Sequence, residues 1–185
     1  MKALIYTGPE KVIFTDALEL ELNSEEALVR VYSVRICGSD MHAFLGHDER
    51  RPAPLILSHE ADGFVVQGKM EGKRVTFNPL ATCGKYEACQ RGQDNICPSR
   101  QIISMQPRQG TFAEFVAIPE INLVEVPDQI DLAQAALAEP VACGWHAAKL
   151  SQRIISRELG LANALVIGGG SIGVSSALSL RELGI

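Results

Sequence analysis

Aromatic residues make up only 5% of the 185-residue chain, which holds a single tryptophan. Basic residues are also few, with 17 Lys and Arg against 22 Asp and Glu, and their longest clusters are pairs such as Arg50–Arg51. The formal net charge of -5 gives no electrostatic basis for binding nucleic acid or an anionic membrane surface. No segment approaches the ~20 consecutive apolar residues that a membrane span requires.

A secretion signal is missing as well, because no apolar run follows Lys2 near the N-terminus. Without an export signal, we expect a cytoplasmic protein whose five cysteines are thiols or metal ligands. Their odd number also excludes a complete disulfide pairing. The hydrophobic content of 46% is typical of a globular protein with a sizeable core.

Short apolar segments with glycine and proline between them fill the chain up to about residue 127. The longest covers residues 27–37, where apolar residues alternate irregularly with polar ones. Its apolar positions include Leu28, Val31, Val34 and Ile36. Other segments read KALIY, KVIF, GFVVQG, GKRVTFNPL, TFAEFVAIPE and NLVEVP. This pattern predicts many short strands and therefore a compact β-rich domain.

An alanine-rich sequence with helical character follows. Asp131 is a suitable N-cap for a short helix over Leu132–Leu137. Pro140 lies in the first turn of a second helix, which we expect to end near residue 157 or 159, before Gly160. The segment ALVIGGGSIGVSSALSLRELGI then predicts a buried strand, a glycine turn and a helix. The predicted domains are residues 1–150 and 151–185.

Residue types that bind metal are concentrated in RICGSDMHAFLGHDERRPAPLILSHEADG. Cysteine, histidine and a carboxylate can form a tetrahedral zinc site that keeps one position for water or substrate. Cys37, His59 and Glu60 provide this combination. Singly, Cys37 could be ordinary core and His59 a partly buried histidine, so the prediction depends on their occurrence together.

Neighbouring polar residues fit the chemistry of an alcohol at such a site. Zinc lowers the pKa of an alcohol oxygen and thereby favours oxidation of the adjoining carbon. The hydroxyl of Ser39 and the imidazole of His42 could pass the alcohol proton to solvent. Asp40 could accept the second ring N–H of His59 and fix its tautomer.

The glycines of ALVIGGGSIG fit the pattern G-x-G-x-x-G between an apolar strand and a helix. Gly168, Gly170 and Gly173 would allow a tight turn, close approach of a pyrophosphate, and close helix packing. The amides of Ser171 and Ile172, at the helix N-terminus, would face the phosphates. The acidic residue that binds the ribose is expected ~20 residues further on, so the sequence does not distinguish NAD from NADP.

Together these motifs resemble the zinc-dependent medium-chain dehydrogenase/reductase family, in its alcohol, sorbitol, threonine and galactitol dehydrogenase branch. The family's CGSDxH is present at 37–42 and its EPxxxxxHA at 139–147. Its LGHE is present at 57–60, with Ser58 where glycine is usual. The resemblance covers essentially the whole chain. It implies a β-rich GroES-like catalytic domain (α+β) followed by the first β-α unit of a Rossmann fold.

The resemblance also implies the function of a zinc-dependent, NAD(P)-linked oxidoreductase of secondary alcohols or polyols. Catalytic zinc would be held by Cys37, His59 and the carboxylate of Glu60 or Glu139. Family members are longer than this chain and are homo-oligomers, dimers or tetramers. We therefore expect the chain to be truncated, and a polypeptide of these residues alone to be catalytically inactive.

A second metal site of the family has four cysteines spaced C-x2-C-x2-C-x7-C. Here Cys83, Cys89 and Cys97 occupy three of the positions and Tyr86 the fourth. A phenol with a pKa near ~10 is a poor zinc ligand beside thiolates. Zinc could still bind with water or a neighbouring acid, but we expect no tightly bound structural zinc.

Two other functions compete with this interpretation. One is a non-catalytic metal-binding or interaction module that keeps the GroES-like fold. The other is a co-chaperonin-like β-domain, which would not need Cys37, His59 and Glu60 together. A zinc ribbon for nucleic acid does not agree with the acidic charge balance.

Overall fold

The computed structural model describes residues 1–154 and 162–185. Its contacts form two compact units, Met1–Ala136 and Leu137–Ile185. The predicted boundary between residues 150 and 151 lies further along the chain, inside the helix Ala138–Ile154. The predicted domain limits stay a prediction. In the described ranges, no helix has the length and apolar character needed to cross a bilayer.

Ten short strands and five helices follow one another along the described residues. The helices are α1 (Gly38–Phe44), α2 (Glu87–Gln90), α3 (Leu132–Ala135), α4 (Ala138–Ile154) and α5 (Ser171–Glu182). The strands are β1 (Lys2–Gly8), β2 (Lys11–Asp16), β3 (Glu26–Val34), β4 (Leu55–Ile56), β5 (Ala61–Gln67), β6 (Arg74–Phe77), β7 (Leu80–Ala81), β8 (Gln101–Ile102), β9 (Phe115–Pro119) and β10 (Leu123–Glu125).

The largest sheet of the first unit has five antiparallel strands in the order β10-β6-β5-β3-β9. Its buried face forms the main core. In β3 the buried residues are Ala27 and Val29, whereas Leu28 is half-buried and Ile36, beyond the strand, is 67% exposed. Val31 and Val34 also pack against this core, and the pairing of β3 with β5 shifts register twice along the strand.

Two smaller sheets complete the first unit. One has the order β2-β1-β4 and the other pairs β7 with β8. A second apolar cluster joins Tyr6, Ala43, Leu55 and Leu57, so α1 packs against the segment that follows β4. This packing positions both of the segments that carry the predicted zinc ligands.

The short helix α3 begins as predicted, with Asp131 as its N-cap. The Asp131 carboxylate accepts the backbone N–H of Ala133 at 3.1 Å. The helix ends at Ala135, two residues earlier than the predicted Leu137. Its C-terminal end is held by the fully buried Asp62, which accepts the N–H of Ala136 at 2.9 Å. Burial raises the pKa of the Asp62 carboxyl above its usual value.

The second unit contains α4 and α5, which pack against each other. Small residues permit the approach: a Cβ on Gly144 would lie 2.6 Å from the Ser175 carbonyl carbon. Pro140 lies in the first turn of α4, as predicted. The predicted end of this helix, at Gly160, falls outside the described residues.

The predicted strand at residues 164–167 is not formed. Residues 162–169 have no strand assignment, and Leu165 and Ile167 are 85% and 90% exposed. A single strand has no hydrogen-bonding partner, and the described residues of this unit offer none. The predicted burial of this segment is therefore wrong for Leu165 and Ile167, and the glycine turn and α5 are the formed parts of the β-α unit.

Candidate functional site

Cys37 lies between β3 and α1, where it is the N-cap residue of the helix. Its backbone is extended, with φ -79° and ψ 154°. The Cys37 N–H donates to Asp40 Oδ2 at 2.9 Å, so the carboxylate at the third helical position reaches back to the cap. This reciprocal arrangement fixes the start of α1 and with it the thiol of Cys37.

His59 and Glu60 follow β4 in a segment that is almost completely buried. Their exposed fractions are 8% and 6%. The Glu60 carbonyl accepts the N–H of Arg35 at 2.8 Å, which joins this segment to the end of β3. The two ligand-bearing segments therefore lie side by side.

The structure brings Cys37, His59 and Glu60 together. One ligand atom from each lies within 4.8 Å of the others. In a tetrahedral zinc site with bonds of about 2.0–2.3 Å, ligand atoms lie about 3.3–3.8 Å apart. One thiolate, one imidazole and one carboxylate thus fit zinc, and leave one position for a small ligand.

Asp40 is 2% exposed and connects both segments. Its Oδ2 accepts the Cys37 N–H, and its Oδ1 accepts the Ser58 N–H at 2.9 Å. The predicted contact to His59 is longer, with 3.9 Å between Nδ1 and Oδ1. The hydrogen bonds that Asp40 makes here are therefore to the backbone next to two ligands, while orientation of the ring stays a prediction.

Ser58 occupies the position where the resembled family usually has glycine. Its φ of 73° lies in the left-handed region, which explains the preference for glycine there. The serine hydroxyl donates to the Arg35 carbonyl at 2.9 Å and accepts from Thr111 Oγ1 at 2.9 Å. These buried hydrogen bonds offset the cost of the conformation.

Ser58→Ala should lower the free energy of unfolding by about 1–3 kcal/mol, because it keeps the positive φ and removes both hydroxyl bonds. Ser58→Gly also loses those bonds but relieves about 1–2 kcal/mol of backbone cost. We therefore expect the glycine variant to be the more stable of the two in urea denaturation. Equal midpoints for the two variants would show that the backbone at this position is not strained.

The predicted proton path begins beside the cluster and reaches the surface. Ser39 is half-buried in the first turn of α1, and His42 is exposed on the same helix. The His42 ring lies edge-on to that of His47, with centroids 6.0 Å apart. The structure thus places both residues on one helix with Cys37 at its cap, and their role in proton transfer stays a prediction.

Arg51 is a positioning residue that sequence patterns did not reveal. It is 3% exposed and donates to the carbonyls of Ser39 and Ser104, both at 2.9 Å. Its charge is paired with Asp48 at 3.3 Å. Hydrogen bonding to Arg50 holds the pKa of Asp48 below its usual value, which keeps the partner charged. The buried guanidinium thereby joins α1 to the loop before β9.

An apolar cavity of about 240 Å³ lies next to α1. Phe44 and Phe112 line it, together with Asp40 and Met41. Two other side chains of the kind that often lines substrate pockets, His47 and Trp145, do not line this cavity. His47 is exposed, and Trp145 belongs to the second unit, where Lys149 lies 5.6 Å from its ring centroid.

Glu139, the alternative zinc ligand, lies in the second unit and in the first turn of α4. The Cys143 thiol, one turn further on, lies 3.6 Å from its Oε1. Within the first unit, Glu60 is the carboxylate that joins Cys37 and His59.

The three remaining predicted metal ligands also come together. Cys83, Cys89 and Cys97 have their sulfur atoms within 4.8 Å of one another. The Lys85 N–H donates to the Cys83 sulfur at 3.4 Å. Backbone donors, of which Lys85 is the strongest, lower the pKa of Cys83 to about 7, whereas burial raises that of Cys89. Tyr86, where the family's pattern has its second cysteine, is the N-cap residue of α2 and is 47% exposed.

The glycine turn has the backbone that its motif predicts. Gly168 has φ 110°, and Gly170 is the N-cap of α5. A Cβ on Gly173 would overlap the Gly168 carbonyl oxygen, so only glycine fits there. Ser171 and Ile172 form the first turn of α5, whose amides have no intrahelical acceptor. This is the local arrangement that binds a phosphate at a helix N-terminus.

Comparison with known proteins identifies the family to which this chain belongs. The alcohol dehydrogenase GroES-like domain matches residues 23–128. The sorbitol dehydrogenase of Bacillus subtilis (strain 168) is 32% identical over 80% of this chain and 44% of its own length. The L-threonine 3-dehydrogenase of Sinorhizobium medicae (strain WSM419) is 30% identical over 100% of this chain and 54% of its own.

A solved dehydrogenase structure has a similar fold. Galactitol-1-phosphate dehydrogenase from Escherichia coli superposes with a TM-score of 0.88 and 25% identity, over 100% of this chain and 53% of that one. The chain therefore spans about half the length of the relatives that it matches.

Proposed function

Because the chain belongs to the alcohol dehydrogenase GroES-like domain family, within the medium-chain dehydrogenases/reductases, we propose that it forms the zinc-holding catalytic part of an NAD(P)-linked dehydrogenase. Its substrates would be secondary alcohols or polyols. The observation that carries the proposal is the cluster of Cys37, His59 and Glu60. A co-chaperonin-like domain has no need for these three side chains at one point.

Cys37, His59 and Glu60 hold the ion in this proposal, with Glu139 as the alternative carboxylate. Zinc bound by these residues would supply a Lewis acid that polarises an alcohol oxygen and lowers its pKa. Asp40 keeps the segments of Cys37 and His59 in place through its two backbone hydrogen bonds. The protein thus positions the ligands before the ion binds.

Ser39 and His42 carry the alcohol proton outward. Ser39 lies within two residues of Cys37, and His42 is at the exposed side of the same helix. A hydroxyl and an imidazole can each accept and donate one proton, so together they form a relay to solvent. NAD or NADP is the oxidant of the reaction.

Gly168, Gly170 and Gly173 receive the cofactor's pyrophosphate, with the amides of Ser171 and Ile172. Support comes from the positive φ of Gly168 and from the close approach of Gly173 to the Gly168 carbonyl. The proposal covers NAD and NADP alike, because the glycine motif binds the pyrophosphate that both cofactors share.

Sorbitol, L-threonine and galactitol 1-phosphate, after which the relatives are named, all contain a secondary hydroxyl group. This shared group is the basis for proposing a secondary alcohol or polyol. A cytoplasmic location and a homo-oligomeric state stay predictions.

Replacing Cys37 by serine should remove about one zinc per chain, since the ion loses its only thiolate at this site. The measurement is metal analysis of the purified chain by plasma mass spectrometry, with Cys143→Ser as the matched control. Cys143 is an exposed cysteine outside both clusters, and its replacement by serine keeps a hydroxyl donor beside Glu139, so the zinc content should stay unchanged. Full zinc retention in Cys37→Ser would contradict the assignment.

We extend the proposal to the activity of the 185 residues by themselves: they should bind this zinc but not oxidise alcohols. A steady-state assay with NAD or NADP and a panel of polyols measures this. Turnover above the level of Cys37→Ser would show that these residues suffice for catalysis.

A further inference from the structure

Three cysteine sulfurs meet in the lobe between β7 and β8, apart from the catalytic cluster. The sulfur atoms of Cys83 and Cys97 lie 3.6 Å apart, and that of Cys89 is within 4.8 Å of both. Two thiolates on one tetrahedral zinc, with Zn–S bonds of about 2.3 Å, are about 3.8 Å apart. The spacing of these thiols is therefore already close to that of a shared metal ion.

Backbone geometry holds the sulfurs in this arrangement. Gly84 has φ 66°, which turns the chain directly after Cys83. The turn brings the Lys85 N–H to 3.4 Å from the Cys83 sulfur. Cys97 is completely buried. Donors that point at a sulfur stabilise its thiolate form, which is the form that binds metal.

The protein does not supply a fourth thiolate. Tyr86 occupies that sequence position, its side chain is 47% exposed, and a phenol is a poor zinc ligand. Among the described residues, no imidazole or carboxylate joins the three sulfurs in one cluster. A closed four-ligand site of the kind found in structural zinc lobes therefore does not fit this chain.

A cleft gives access to the cluster. It has a volume of about 490 Å³, and Cys83 and Gly84 are part of its lining. Arg108 lies on the same cleft and is paired with Glu26 at 2.8 Å. A small molecule can thus approach the lobe from solvent on the side of Cys83.

We propose that Cys83, Cys89 and Cys97 form an open three-thiolate zinc site, in which the fourth coordination position belongs to an exchangeable ligand such as water or a small anion. The site goes beyond the dehydrogenase function and does not depend on it. Zinc sites that keep one open position are those that react with external ligands.

Cobalt(II) is the probe for this site, because its visible spectrum reports the number and kind of ligands. The full chain is titrated under a phosphine reductant, in the Cys37→Ser background so that the catalytic site does not contribute. We expect one cobalt per chain, with thiolate charge-transfer bands that are lost in Cys89→Ser. Added azide or imidazole should shift the visible bands by occupying the fourth position.

Tyr86→Cys is the decisive variant. It should bind cobalt at least tenfold more tightly, raise the charge-transfer intensity by about one third, and remove the response to azide, because four thiolates close the site. Tyr32→Cys, at a comparably exposed tyrosine outside the lobe, is the matched control and should change none of these properties.

Three results would overturn the proposal: no cobalt bound with the thiols reduced, a spectrum that azide and imidazole leave unchanged, or a Tyr86→Cys variant that keeps the azide response. If the Cys37→Ser background does not fold, the difference between the spectra of the native chain and Cys89→Ser gives the same information. Since Cys37→Ser tests the catalytic site separately, failure of one site is distinguishable from failure of the other.

Discussion

Replacing Asp40 by alanine is expected to lower the free energy of unfolding by about 2–5 kcal/mol, because it leaves one buried and one part-buried backbone N–H group without an acceptor. These belong to Cys37 and Ser58. Both segments that carry zinc ligands lose their common anchor, so zinc affinity at the catalytic cluster should fall at least tenfold. Urea denaturation and competition with a chelator measure the two effects.

Asp40→Asn separates the two roles of the side chain. The amide keeps one acceptor oxygen, so we expect a free energy of unfolding between that of the native chain and that of the alanine variant. Asp16→Ala is the matched control: Asp16 is exposed and paired with Lys2, and surface pairs contribute at most about 1 kcal/mol. An Asp40→Ala variant with the unfolding midpoint of the control would refute the anchoring role.

Replacing Gly110 by alanine should destabilise the protein by about 3 kcal/mol or more, because overpacking against backbone cannot be relieved by a rotamer change. The new Cβ would overlap the carbonyl oxygens of Leu57 and Ile56. Gly110 N–H donates to Ile56 O at 2.7 Å, and Thr111 N–H donates to Ser58 O at 3.0 Å. The clash should therefore displace the segment that leads to His59.

Zinc content and the urea midpoint are both expected to fall in Gly110→Ala. Gly169→Ala is the control, since a Cβ there meets no atom within 4 Å. It should change the free energy of unfolding by about 0.5 kcal/mol or less. A Gly110→Ala variant that keeps its full zinc content and its stability would show that close packing of Gly110 on the segment before His59 is not needed for either property.

The sequence predicted the elements whose signals are local. Asp131 caps α3 as expected, and the glycine pattern gives the turn before α5. Ligand types with suitable spacing also predicted two groups of side chains that the structure brings together, because Cys37 and His59 are recognisable chemically wherever they lie in the chain. Metal binding by these groups stays a prediction.

What sequence alone did not show depends on contacts between distant segments. Nothing in the pattern around Arg51 indicates that it is buried on the carbonyls of Ser39 and Ser104. The positive φ of Ser58 was not predicted either, although the sequence showed a serine where the family usually has glycine. The register shifts between β3 and β5 were not predicted either, because such shifts follow no sequence period.

The missing strand at residues 164–167 has a different cause. Its apolar residues are those of a buried parallel strand, but a strand is defined by its hydrogen-bonding neighbours. No neighbour is present among the described residues of the second unit, so Leu165 and Ile167 are exposed. Strong local propensity therefore does not produce an element whose stability is entirely tertiary.

The two hydrogen bonds of Asp40 also bear on how the proposed zinc site would exchange its metal. Neither bond includes an ion, so the spacing of the Cys37 and Ser58 backbones is set by the polypeptide alone. Binding of zinc would then cost little conformational entropy, because the backbone of the ligand segments is already ordered. A chelator should accordingly withdraw zinc from a domain that stays folded, unlike the small zinc fingers that unfold without their metal.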